Sequence, residues 1–89
     1  MVYLISYDPG QPGTNYAELH ETIVQLGDWT KPLESTWLVN VELDAEQIYK
    51  RIRPLMGATE MLLVIQIGPD GYGFVPQHTM AWLPNKPTA

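Results

Sequence analysis

The segment Val2-Tyr3-Leu4-Ile5-Ser6-Tyr7, closed by Asp8-Pro9, constrains the fold more than any other stretch of the chain. β-Branched and aromatic side chains at these positions favour a pleated, buried strand. Pro9 lacks an amide donor and holds the residue before it in extended geometry. The strand therefore ends on a carboxylate, Asp8. At a strand mouth that group can hold a divalent cation over a phosphodiester, or it can accept backbone N–H bonds from the Gly10 to Gly13 loop as an Asx turn.

After this strand, Pro9 to Thr14 has the composition of a loop, and a helix follows. Asn15 is its cap, with Glu18 placed to complete a capping box. Tyr16, Leu19, Ile23 and Leu26 make its apolar stripe, and Gly27 stops it. From Leu33 to Leu43 the side chains alternate, with Trp37, Val39, Val41 and Leu43 on one face, and a bend at Glu34-Ser35 divides this segment into a tight pair of strands. Asp44 then caps a second helix with the stripe Ile48, Ile52 and Leu55, which Pro54 ends or kinks near Arg53. Met61 to Ile67 is the most apolar run and suits a central strand. Tyr72 to Val75 and Thr79 to Leu83 read as short edge strands. The expected fold is α+β: one ferredoxin-like domain over residues 1–84, an antiparallel sheet with two helices on one face, and a flexible tail at 85–89.

Size and charge narrow the function. A chain of 89 residues buries only about 60–65% of its unfolded surface, so dimerisation is an expected source of stability. With no cysteine, disulfides and thiolate metal sites are excluded. No apolar run approaches the roughly 20 residues of a membrane span, and the expectation is a soluble, cytoplasmic protein with no membrane partner. Five basic residues face ten acidic ones, a net charge of −5. Only Lys50, Arg51 and Arg53 cluster, a poor footprint for nucleic acid.

Three landmarks stand in order: Ser6-Tyr7-Asp8 ending the first strand, Leu26-Gly27 ending the first helix, and Lys31-Pro32-Leu33-Glu34-Ser35-Thr36-Trp37-Leu38-Val39 leading to the cap at Asp44. Over residues 1–67 this pattern resembles the superfamily that joins the smaller CRISPR-associated adaptation protein, the second Cas protein, with the virulence-associated D toxins. It is most similar to small bacterial and phage proteins of that build. The resemblance implies a ferredoxin-like homodimer in which a C-terminal edge strand is laid onto the partner's sheet. In catalytic members the aspartate at the end of the first strand of each protomer faces its mate and is proposed to hold a divalent metal; the corresponding residue is Asp8, two copies of which, with waters, would suit Mg²⁺ or Mn²⁺. The serine of the second motif corresponds to Ser35 or to Thr36. The acidic first helix departs from the basic surfaces of nuclease members, and fold does not transfer function.

Ser35 and Thr36 can orient a phosphate or a water, or can satisfy local backbone groups. His20 and His78 lack metal-ligand spacing to any other histidine. Trp37 falls in the core, whereas Trp29, Tyr72, Phe74 and Trp82 lie near loops or edges and read as an interface. The function expected is that of a small acidic homodimer acting by binding another macromolecule, a protein, in a mobile-element, toxin or defence setting. The alternative is a metal-dependent endonuclease or ribonuclease that pairs two copies of Asp8 across the dimer axis.

Overall fold

A computed structural model describes residues 1–86. Strand β1 is Val2–Tyr7, and helix α1 is Tyr16–Leu26. Strands β2, Asp28–Leu33, and β3, Thr36–Asn40, are joined by a turn at Glu34 and Ser35. Helix α2 is Ala45–Ile52, strand β4 is Leu62–Gln66, and helix α3 is Gln77–Trp82. The four strands form one antiparallel sheet in the order β2-β3-β1-β4. This small α+β fold is compatible with a ferredoxin-like sandwich.

The local signals act largely where the sequence places them. Asn15 caps α1 by accepting from the Glu18 amide at 3.1 Å. Glu18 does not complete a capping box: its carboxylate accepts from the Asn15 side-chain amide, while the Asn15 backbone N–H donates to the Leu55 carbonyl. The full box forms instead on α2, where Asp44 Oδ1 accepts from the Gln47 amide and Gln47 Oε1 from the Asp44 amide. Pro54 ends α2 as expected, and a single 3₁₀ turn covers Arg53–Leu55. Gly27 stops α1 for a steric reason, its backbone being fully extended. A Cβ there would collide with the Asn40 carbonyl, where the entry to β2 passes the end of β3.

β2 starts at Asp28, five residues before the extended segment expected from Leu33. Pro32 hid it. Proline is tolerated on an edge strand, and the ladder slips in register between Thr30 and Leu33. One sheet face packs against α1 and α2. Ile5, Leu19, Ile23, Val39, Ile48 and Ile52 are fully buried between these layers, with Tyr3, Tyr7 and Trp37 around them.

The opposite, outer face is asymmetric. Residues paired across strands share a face, so Thr30, Leu38, Leu4 and Ile65 form one row across the sheet. Exposure climbs along that row, from 3% at Thr30 and 7% at Leu38 to 50% at Ile65. Helix α3 is the cause: the buried Thr79 hydroxyl lies 3.1 Å from that of Thr30, covering the β2 side and leaving the β4 side open. On the open side Leu63 and Met61 are also exposed.

Two expectations are corrected here. Met61 to Ile67 is not a central strand, because among the described residues β4 pairs with β1 alone and forms the sheet edge. Its odd-numbered apolar residues lie on the outer face, and only Leu62 and Val64 pack against the core. Nor does any strand follow β4 among the described residues: Tyr72 to Val75 is irregular, and the expected strand Thr79 to Leu83 is mostly α3. Buried Thr79 and half-buried Trp82 and Leu83 have the i, i+3, i+4 spacing of one helix face, a signal that five residues cannot separate from alternation. Beyond α3, Leu83–Asn85 forms a 3₁₀ turn and Lys86 pairs with Asp28, in the region expected to be a tail from residue 85. The remainder of that expected tail, residues 87–89, lies outside the described residues. Among the described residues no helix is long and apolar enough to cross a membrane.

Candidate functional site

The C-terminal end of β1 brings together polar and aromatic side chains from three elements. Tyr7, the last residue of β1, points to the core side and meets His20 from α1 and Trp37 from β3. Trp37 Nε1 donates to the Tyr7 hydroxyl at 3.1 Å, and that hydroxyl lies 2.7 Å from His20 Nε2. An indole N–H only donates, so the Tyr7 proton is free to pass to an unprotonated Nε2. The chain runs Trp37 to Tyr7 to His20. Around it Trp29 and His20 both tilt against Trp37, with ring centroids 5.2 and 5.4 Å from it, and the Lys31 ammonium sits 5.1 Å from the Trp37 ring centroid.

A second chain ties the loop after Asp8 to the segment before β4. The Gly57 amide donates to Thr14 Oγ1, and that hydroxyl donates to Glu60. Tyr16 Oη accepts from the Gln11 amide at 2.8 Å, and its one proton lies within reach of Glu60 Oε1 and the Asp8 carbonyl. Glu60 is 4% exposed and pairs with no cation among the described residues. Hydroxyls hold this carboxylate. Gly57 permits the approach, since a Cβ there would strike the Pro12 carbonyl.

The expected site residues are divided by this geometry. Asp8 is exposed, and among the described residues its carboxylate accepts no hydrogen bond, so the Asx turn does not form. It borders an open concavity of about 320 Å³ with Ser6, Met61 and Leu63. Ser35 lines a different hollow with Tyr7, His20 and Lys31, and its carbonyl accepts from the Tyr7 amide. Thr36 faces outward, its hydroxyl 3.0 Å from that of Ser6. Asp8, Ser35 and Thr36 therefore do not converge within one chain. No group of three His, Cys, Asp or Glu side chains able to hold a metal occurs among the described residues. One chain alone does not fit a Mg²⁺ or Mn²⁺ site.

The four expected interface aromatics also separate. Tyr72 and Phe74 are fully exposed and Trp29 is 42% exposed. Trp82 is tied inward, its indole N–H donating to Asp28 Oδ1 at 3.1 Å. Lys86 also bonds Asp28, and these two donors hold its carboxyl below the usual carboxylate range. The basic cluster is largely occupied: Lys50 pairs with Glu46, and Arg53 donates to the carbonyls of Met56, Gly57 and Ala58.

Sequence reasoning missed His20, Lys31 and Glu60 as members of a site. For His20 a signal existed, since Tyr16 and His20 lie four residues apart on the α1 face that meets the end of β1. Glu60 offered none, a lone acid in a short connection.

Burial lowers the pKa of His20, and the nearby Lys31 charge lowers it further. Tyr7 from β1 and Tyr16 from α1 also face the imidazole, but burial raises both phenols, so they stay neutral through the histidine range. The folded state therefore binds fewer protons than the unfolded chain as pH falls below about 6.5. Stability declines from that pH until the folded imidazole is itself protonated. Denaturation midpoints at neutral and mildly acidic pH should diverge more for the wild type than for His20→Gln; equal divergence would remove His20 as the cause.

No protein family, curated protein or solved structure matches the chain.

Proposed function

We propose that the protein is a homodimeric, ferredoxin-like binding module that docks another protein through the open half of its outer sheet face. The sequence resemblance supplies the setting: a cytoplasmic mobile-element, toxin or defence system. The observation that carries the reading is the uncovered apolar surface at β4, where Met61, Leu63 and Ile65 are 76%, 55% and 50% exposed, beside a strand edge that pairs with no further strand among the described residues. Exposed edges and contiguous apolar patches are liabilities unless a partner covers them. A net charge of −5 and a largely engaged basic cluster favour protein over nucleic acid.

The rival reading, a Mg²⁺- or Mn²⁺-dependent nuclease, has one specific support, the unengaged Asp8 carboxylate beside Met61 and Leu63. It requires two Asp8 carboxylates on one cation. If β4 pairs edge to edge with its copy around Val64, the two β1 ends fall at opposite ends of the pair, ~20 Å apart along the strands. Such a dimer excludes the shared cation, and only face-to-face packing near Asp8 would allow it.

Light scattering at micromolar concentration is expected to give a dimer for both the wild type and Ile65→Lys, with unchanged circular dichroism spectra, whereas tagged Ile65→Lys should lose the stoichiometric protein partner that tagged wild type recovers from its native host. A wild-type monomer would overturn the dimer and, with it, the paired-aspartate mechanism. Cleavage of RNA or DNA that needs Mg²⁺ or Mn²⁺ and disappears in Asp8→Asn would reverse the ranking of the two readings.

A further inference from the structure

On the core side of the β1 end, away from β4, Tyr7, Tyr16, His20, Lys31, Glu34 and Ser35 line an open hollow of about 210 Å³. That is below the roughly 300–1,000 Å³ of drug-sized sites, so the occupant it suits is small. Tyr7, Tyr16 and His20 are mutually tilted, with ring centroids 6.0–6.2 Å apart, and form an aromatic wall. Their polar atoms are mostly committed to the two hydrogen-bond chains. In the same lining, among the described residues, the Lys31 ammonium lies over the Trp37 ring without a carboxylate partner, and the Glu34 and Ser35 side chains make no hydrogen bond.

Among the described residues Lys31 has no carboxylate within salt-bridge distance, although Glu34 lies three residues away and lines the same hollow. The Ser35 hydroxyl and the Glu34 carboxylate likewise make no hydrogen bond there. One cation-bearing, one anion-bearing and one hydroxyl-bearing residue therefore line a single small hollow without pairing with one another. A simple anion would meet repulsion from Glu34, and a simple cation from Lys31. A ligand carrying an ammonium and a carboxylate on one carbon satisfies both.

We infer that this hollow binds a free aromatic α-amino acid, with its carboxylate on Lys31 and Ser35, its ammonium on Glu34, and its ring against Tyr7, Tyr16 and His20. The assignment is independent of the β4 surface and of the dimer.

The test compares L-phenylalanine with its two half-ligands, benzoate and phenethylamine, by calorimetry and by NMR of the tyrosine and histidine rings. Phenylalanine should bind at least about tenfold more tightly than either half and shift the Tyr7, Tyr16 and His20 resonances. Glu34→Gln should weaken phenylalanine about tenfold while tightening benzoate, which no longer meets the Glu34 charge; Glu34 is exposed, so this variant should fold normally. Lys31→Met, which keeps an unbranched stem over Trp37, should weaken phenylalanine and benzoate alike. Equal affinity for the three probes, or ring resonances that do not move at millimolar phenylalanine, would overturn the assignment.

Discussion

Replacing Trp37 with alanine is expected to lower the unfolding free energy by about 3–5 kcal/mol, the range for removing a large buried aromatic. The indole is 4% exposed and serves three structures at once. It packs in the core beneath α1, supports Trp29 and His20 on its flanks, and donates the hydrogen bond that orients the Tyr7 hydroxyl. A domain of this size has about 5–15 kcal/mol in total, so Trp37→Ala should be largely unfolded at modest urea. Trp37→Phe separates the contributions: it keeps most of the packing and loses the donor, and should cost much less than alanine. Urea midpoints measure both. Equal losses for the two variants would mean that the Nε1–H, and not the ring, dominates.

Glu60→Ala is the second large loss, expected at about 3 kcal/mol, because two bonds to a carboxylate disappear and each is worth roughly 1.5–3 kcal/mol before water returns. The Thr14 and Tyr16 hydroxyls would lose their acceptor in a partly buried place, and the loop at residues 9–14 would separate from the connection before β4. Glu60→Gln retains the shape and one acceptor oxygen, so its loss should be smaller. Amide exchange gives a local readout, with Gln11 and Gly57 expected to lose protection first, since they donate to Tyr16 and Thr14. If Glu60→Ala unfolds within about 0.5 kcal/mol of wild type, the ordinary range for a surface change, the hydroxyl chain contributes little.

Particular residues explain what could be read in advance. The two helices, the strand ending at Tyr7 and the bend at Glu34-Ser35 were legible because each has a local cause: a cap, an apolar stripe, a proline or an alternation. β2 was not, because Pro32 mimics a strand breaker and its tolerance depends on the strand's being at an edge. α3 was not, because Thr79, Trp82 and Leu83 reveal their common face only against β2. Glu60 was invisible as a site because its partners Thr14 and Tyr16 are brought to it by tertiary packing, and for His20 only the spacing from Tyr16 was legible, its meeting with Tyr7 being tertiary.

The sequence by itself determined the element order around Asp8, the capped helices, the absence of cysteine chemistry and an acid balance that disfavours nucleic acid. Those follow from near-neighbour sterics and summed charge, which need no fold. Only the tertiary structure decided that β4 is an edge, that α3 covers half of the outer face, and that Asp8 and Ser35 border different hollows. Neighbours across a sheet are set by which surfaces exclude water together, and that is a property of the whole packed chain.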